Sequence, residues 1–198
     1  MLEELKTALE AIAPAGFTRY QKLLSLLRSK EYAWNPADTG DRVVIFTERI
    51  DTMKYLAERL RQDLGLKANA IQEISGGMSD AEQQRIVEDF GRTESPVRIL
   101  VASDVASEGL NLHYLSHRLI HFDIPWSLMV FQQRNGRIDR YGQQKRPDIR
   151  YMLIQSDVCA ICIVCCLFSL LRQGQNLAMH RLRCRAIIPV ILWKACVI

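Results

Sequence analysis

Apolar positions along this chain change period in a regular way. Leu2, Leu5, Leu9 and Ile12 recur at helical spacing, as do Leu23, Leu24 and Leu27, which predicts amphipathic helices over 2–12 and 18–28. Pro14 and Gly16 separate them, and the turn-rich stretch 29–41 reads as a surface loop. Val43 to Phe46 is a short β-branched run, the mark of a buried strand. Over 50–64 the period is helical again, with Ile50, Met53, Leu56, Ala57, Leu60 and Leu64 on one side and Gly65 as the stop. Ala70 to Ile74 predicts a second strand, and Ser79 with Glu82 a capping box that opens a helix to Phe90. After a break at Pro96, strands follow at Arg98–Ala102 and Arg118–Phe122. Then come a turn at Asp123–Pro125, a helix over 127–135 and a fifth strand at Ile149–Ile154.

Strands alternating with helices across short connections predict an α/β fold, an open parallel sheet flanked by helices. Such sheets bind ligands outside the carboxyl ends of their strands. That directs attention to Thr47 and Glu48 after the first strand, Ser75 to Gly77 after the second, and Ser103 to Asn111 after the third.

Composition adds limits. At 198 residues the chain has room for one domain and an appendage, and 48% apolar residues suffice for a core. The net charge of +4 is uneven. From Val158 onward there are five basic residues and no carboxylate, which leaves 26 − 5 = 21 basic against 22 acidic residues in 1–157. The basicity is a property of the tail and argues only weakly for nucleic acid. All six cysteines also lie there, so nothing points to an extracellular disulfide framework. The acidic start Met-Leu-Glu-Glu is no secretory signal, and the longest apolar run, 158–171, is shorter than the roughly 20 residues of a membrane span. The expectation is a cytoplasmic protein with no membrane partner.

The chemistry concentrates in Gln132 to Gln143, where Arg134, Arg137 and Arg140 recur every third residue. On a helix that spacing gathers three guanidinium groups on one face. Arginine grips phosphate through paired hydrogen bonds, although most charge runs are solvated faces. Gly136 and Gly142, costly inside a helix, suggest close approach of the backbone to a ligand or neighbour. Residues 102–112, Ala-Ser-Asp-Val-Ala-Ser-Glu-Gly-Leu-Asn-Leu, are small and polar, suited to presenting backbone N–H groups to phosphate or sugar but common as strand-to-helix loops.

Together these stretches resemble the second RecA-like domain of superfamily 2 helicases and translocases, in particular the Swi/Snf-like branch with its bacterial RapA-like members. Gln133, Arg134, Gly136, Arg137, Arg140, Gly142 and Gln143 match that family's last motif, Q-R-x-G-R-x-x-R-x-G-Q. Ser75-Gly76-Gly77 followed by Arg85 and Phe90, residues 99–112, and Asp123 with Trp126 and Gln132 match earlier ones in order. The resemblance spans Arg42 to Ile154. It implies a motor lobe that closes on ATP held, with Mg²⁺, by a first RecA-like lobe in the same or another chain. Arg137 and Arg140 would be arginine fingers. Arg134, Gln133, Gly136, Asp104, Glu108 and Gly109 would serve the nucleotide and interdomain side. Thr47, Ser75, Gly76, Gly77, Ser103, Asn111 and Trp126 would meet a nucleic-acid backbone, DNA ahead of RNA, without reading sequence. The run Asp104-Val105-Ala106 instead matches the DEAD-box form, so duplex translocase and RNA helicase both stay open; Gln143 and Trp126 favour the Swi/Snf-like side.

A phosphate-cradling G-x-x-x-x-G-K-[S/T] loop is missing, as is an Asp-Glu pair on an apolar strand. ATP hydrolysis by this chain alone is therefore expected to be negligible. The tail offers Cys159-x₂-Cys162-x₂-Cys165, but apolar residues fill the gaps and no nearby histidine completes a set of four, so no metal site is expected. The chain divides into a helical lead-in at 1–40, a helicase-type domain at 41–156 and an atypical tail at 157–198, which reads as a frameshifted or non-native end of a truncated protein. The competing readings are a non-catalytic nucleic-acid- or protein-binding module and an inactive remnant.

Overall fold

The computed structural model describes residue 4, residues 16–103, 112–125 and 127–154, and a strand at 191–193. The helix expected over 2–12, most of the loop after the third strand and the cysteines of the tail lie outside these residues. Two compact units divide the chain, Met1–Trp34 and Asn35–Ile198. In the first, helix α1 (Thr18–Leu27) buries Leu23, Leu24 and Leu27, as their period predicts, together with Tyr20 and Leu26.

The second unit is an α/β sheet. Its elements are β1 (Arg42–Thr47), α2 (Ile50–Asp63), β2 (Ile71–Ile74), α3 (Asp80–Gly91), β3 (Ile99–Ser103), β4 (Ser116–His121), α4 (Leu128–Asn135), β5 (Asp148–Ile154) and β6 (Ile191–Trp193). The strand order is β2-β3-β1-β4-β5-β6, and every pairing is parallel. The first five strands stand where the apolar runs place them. The sixth, Ile-Leu-Trp, falls in a stretch for which the pattern predicted no strand. β1 lies inside the sheet and buries all six of its residues.

Alternate strand residues serve opposite faces. Val44, Phe46, Ile74, Leu100, Ala102 and Leu119 share one core cluster with Phe90, Val97, Leu112 and Ile138, and Ile86 and Val87 of α3 pack against it. α2 lies against β1, β2 and β3 and buries Met53, Leu56, Ala57 and Leu60. Each buried Val, Leu, Ile, Phe or Met side chain contributes about 1.5–3 kcal/mol.

The helix ends are built as their residues dictate. After α2, Gly65 takes φ +62°, and the N–H groups of Gly65 and Leu66 donate to the carbonyls of Gln62 and Arg61 at 3.3 and 3.2 Å, a Schellman closure. α3 opens on the expected box: the Ser79 N–H donates to Glu82 Oε2 (3.0 Å) and the Glu82 N–H to Ser79 Oγ (3.4 Å). The other end of α3 is closed by a residue from far away. Arg42, fully buried at the start of β1, donates to the carbonyls of Asp89 (3.2 Å), Phe90, Arg92 and Ser95 (3.4 Å). A cation is favoured at that end of a helix. Burial, and then the charge of Arg98, push the Arg42 pKa down to about 10, which leaves it charged at neutral pH.

From β1 the chain turns to β2 and β3 on one side, then crosses to β4 and β5 on the other. The switch point of the sheet therefore lies between the carboxyl ends of β1 and β4, where α/β sheets open a crevice.

Candidate functional site

Two groups of predicted residues meet around that switch point. At the end of β1, the Thr47 hydroxyl donates to Asp123 Oδ2 (2.6 Å), and the Glu48 N–H reaches the same carboxylate at 2.9 Å. Asp123 follows β4. Arg134, on α4, completes the node. Its Nη1 donates to the Asp123 carbonyl (2.9 Å) and approaches His121 Nδ1 (3.4 Å), and its Nη2 lies 3.5 Å from Asp123 Oδ1. The guanidinium also stands 5.5 Å from the Phe46 ring centroid and is 0% exposed.

His121 is equally buried, stacked on Phe131 (4.8 Å between centroids) and Tyr151 (5.0 Å). Its Nε2 lies 2.8 Å from Asn135 Oδ1. An arginine only donates, so Nδ1 accepts and Nε2 carries the proton. Burial, then the Arg134 charge, push its pKa down to about 3, and the ring is neutral at physiological pH.

The arginine ladder itself is not a helical face, contrary to what its spacing suggested. α4 opens at Ser127, whose Oγ accepts from the Val130 N–H (3.5 Å), and stops at Asn135 with Gly136 as its cap. A Cβ on Gly136 would lie 3.3 Å from the Gln132 carbonyl oxygen, so the cap is tight. Beyond it the chain proceeds in turns, with N–H to C=O bonds from Arg137 to Arg134, Ile138 to Asn135 and Gln143 to Arg140. The three arginines consequently have three environments: Arg134 buried, Arg137 half-buried, Arg140 exposed.

Two residues fasten this segment. Ile138 is fully buried in the core cluster beside Leu112. Gln143 donates through Nε2 to the carbonyls of His113 (3.1 Å), Ser116 (2.9 Å) and Ile138 (3.2 Å), and its Oε1 accepts from the Lys145 N–H (3.1 Å). Gly142 takes φ +97°, a left-handed conformation that suits glycine. The segment thus leaves the node near the carboxyl end of β4 and runs to the amino ends of β4 and β5. Where the chain rejoins the described residues at Leu112, its N–H donates to the Arg137 carbonyl (3.3 Å). Asp139, between the two outer arginines, has its carboxyl pKa pushed up by burial.

The other predicted residues are distributed as follows. Ser75 is buried after β2, and its carbonyl accepts from Gln83 Nε2 (3.2 Å); Gly76 is half-buried and Gly77 exposed, with open space where a Cβ would stand. Ser103 pairs in register with Thr47 and is buried, its hydroxyl without a hydrogen-bond partner among the described residues. Thr47 is wholly buried and reaches the site only through Asp123. Gln133 is half-buried. Asp104, Glu108, Gly109, Asn111 and Trp126 lie outside the described residues. Sequence reasoning overlooked His121, Asn135 and Ile138; the histidine directly after the apolar pair Leu119-Ile120 was the one available signal. Among the described residues, no group of His, Cys, Asp or Glu is arranged to hold a metal ion, and no helix is long and apolar enough to cross a membrane.

A family model described as the helicase conserved C-terminal domain matches residues 19–142. The RNA polymerase-associated protein RapA of Vibrio vulnificus (strain YJ016) is 31% identical over 119 residues, 60% of this chain and 12% of that protein. RapA of Vibrio campbellii (strain ATCC BAA-1116) is 33% identical over 110 residues, 56% of this chain and 11% of its own. The chain therefore spans about an eighth of these relatives. Among solved structures, the Escherichia coli DEAD-box protein SrmB, bound to the regulator of ribonuclease activity A, aligns with a TM-score of 0.57 at 25% identity, covering 74% of this chain and 76% of that one. Domain 2 of the Mss116p DEAD-box helicase bound to an RNA duplex aligns at 0.60 and 17% identity, over 89% and 60% of the two chains, which speaks to the fold.

Proposed function

The chain belongs to the helicase conserved C-terminal domain family, and from that premise we propose that it works as the second lobe of a RapA-like nucleic-acid motor, with Arg137 and Arg140 as the groups that meet ATP. The observation that carries this reading is the division of labour among the arginines. Arg134 is buried in the node, whereas Arg137 is half-buried and Arg140 exposed on a segment fastened by Ile138 and Gln143. An always-charged planar fork held in place is the group that stabilises charge developing on a transferring phosphoryl group, worth about 10³ to 10⁵ in rate. The nucleotide, with its Mg²⁺, would be held by a first RecA-like lobe.

Ser75, Gly76, Gly77, Ser103 and Asn111 would lie along a nucleic-acid backbone, with Trp126 nearby. Small residues and glycine let main-chain N–H groups come close to phosphates without reading bases. Thr47 contributes by holding Asp123 rather than by touching the ligand. DNA is the preferred substrate, and the bacterial cytosol the expected place. The alternative, a binding module without catalysis, is favoured by the lack of a phosphate-cradling loop in this sequence.

The test is ATP turnover with and without duplex DNA, first by the purified chain and then with a first RecA-like lobe from a RapA-like relative fused ahead of it. The chain alone should not turn over ATP. The fusion should, and Arg137→Ala or Arg140→Ala should each lower its kcat by at least 10³. Turnover by the fusion that ignores both substitutions refutes the finger assignment. DNA binding without turnover selects the binding-module reading.

A further inference from the structure

Among the described residues four large apolar side chains stand exposed, and two are tyrosines, Tyr114, 69% exposed, and Tyr141, fully exposed, the first of which packs on a ring. That ring is His113, itself buried. Tyr114 packs on it with centroids 4.2 Å apart. Gly142, next to Tyr141, also lies close to that ring, where a Cβ would come within 3.6 Å of Nε2. Gln143 fixes the arrangement by donating to the His113 carbonyl (3.1 Å). Arg140 is close enough for its charge, after burial, to lower the His113 pKa. One phenol ring packed on a buried imidazole, and a second, fully exposed one carried next to Gly142, thus stand near an exposed guanidinium. Residues 140–147 also carry Arg140, Lys145 and Arg146 with no carboxylate.

Exposed aromatic rings flanked by cations match a planar base that carries phosphates. The base stacks on a ring while guanidinium groups take the negative charge. We propose that Tyr114 and Tyr141 form a nucleobase subsite that takes the base of the nucleotide whose phosphates meet Arg137 and Arg140. The proposal rests on the phosphate reading of those arginines. The free nucleotide is favoured over a base of bound nucleic acid by position. The backbone-facing loop Ser75–Gly77 follows β2 at the carboxyl edge, with β3 and β1 between it and β4. The tyrosines lie at the amino side, just before β4 and β5.

The experiment titrates the full chain at millimolar ligand with ATP, inorganic tripolyphosphate and a single-stranded oligonucleotide, followed by NMR. Adenine H2 and H8 of ATP should move upfield through ring currents. Tyr141→Ala and Tyr114→Ala should each weaken ATP about 5- to 100-fold and leave tripolyphosphate unchanged, while Tyr141→Phe retains binding. Tyr141 is fully exposed, so the thermal melt of its variants should match the parent. Arg140→Ala should weaken ATP and tripolyphosphate alike. If it does not, yet the tyrosine variants still weaken ATP, the phosphate reading fails and the base subsite stands. Equal affinity for ATP and tripolyphosphate, insensitive to both tyrosines, overturns the proposal. So does tyrosine dependence seen with the oligonucleotide alone.

Discussion

Arg134→Met probes the node directly. The side chain being replaced is wholly buried, and methionine keeps an unbranched apolar stem against Phe46. What disappears is a charged donor with three targets. The bond to the Asp123 carbonyl at 2.9 Å is charge-assisted, worth about 1.5–3 kcal/mol. His121 Nδ1, deep in the core, loses the one donor described above, and an unmatched buried acceptor costs about 1–3 kcal/mol. The contact to the Asp123 carboxylate at 3.5 Å adds less, because that side chain is 19% exposed and keeps its bonds from Thr47 and Glu48. Against these losses stands the relief of not desolvating a guanidinium. The balance is a destabilisation of about 3 kcal/mol. Denaturant unfolding followed by tryptophan fluorescence measures it, with Arg134→Lys expected to fall between parent and Met variant. A double-mutant cycle with Asp123→Asn should show a coupling of about 1–2 kcal/mol. An Arg134→Met loss below about 1 kcal/mol, or strict additivity in the cycle, would refute the claim that this buried arginine holds the β1 and β4 ends together.

Three further outcomes follow from the same geometry. His121 has a folded pKa near 3 against about 6.5 unfolded, so its contribution is complete above about pH 6.5 and is lost as pH falls toward 3, at about 1.4 kcal/mol per pH unit; unfolding free energies at pH 7 and 5 should show this slope, and His121→Gln should flatten it. Gly77→Ala meets nothing within 4 Å and should leave the melting temperature unchanged while weakening duplex DNA binding in a fluorescence anisotropy titration; unaltered affinity removes Gly77 from the interface. Gln143→Ala strips donors from three carbonyls and should cost about 1–3 kcal/mol while speeding amide hydrogen exchange at Arg140–Gly142; unchanged exchange would mean the segment is fastened elsewhere.

Local pattern carried most of the architecture. The run Val43–Phe46 became β1 with one residue added at each end, Gly65 ended α2, and Ser79 with Glu82 formed the expected box. These features depend on neighbours a few residues apart, which periodicity and capping chemistry report. The site was legible as a set of residues but not as a geometry. A spacing of three implied one helical face for Arg134, Arg137 and Arg140, yet the helix stops at Asn135 and the arginines part company there. Arg42 capping the far end of α3, and Thr47 bonded to Asp123, join positions dozens of residues apart, and no local pattern encodes such pairings. The inward direction of Ile138 was likewise invisible between two arginines, because a turn has no period to read.

Ile138 and Gln143, the two residues that fasten the outer arginines to the lobe, carry no net charge. Ionic strength therefore acts on the segment selectively. Added salt screens the pull of the exposed Arg140 on any anion, and that of the half-buried Arg137 less, since exposed charges lose most of their reach within about 10 Å at 0.1 M. An aliphatic side chain in the core and an amide on main-chain carbonyls do not respond in that way. Salt is thus a reversible test of the proposed anion contact: it would release the ligand while the loop keeps its shape, separating capture from geometry in one sample without altering a residue.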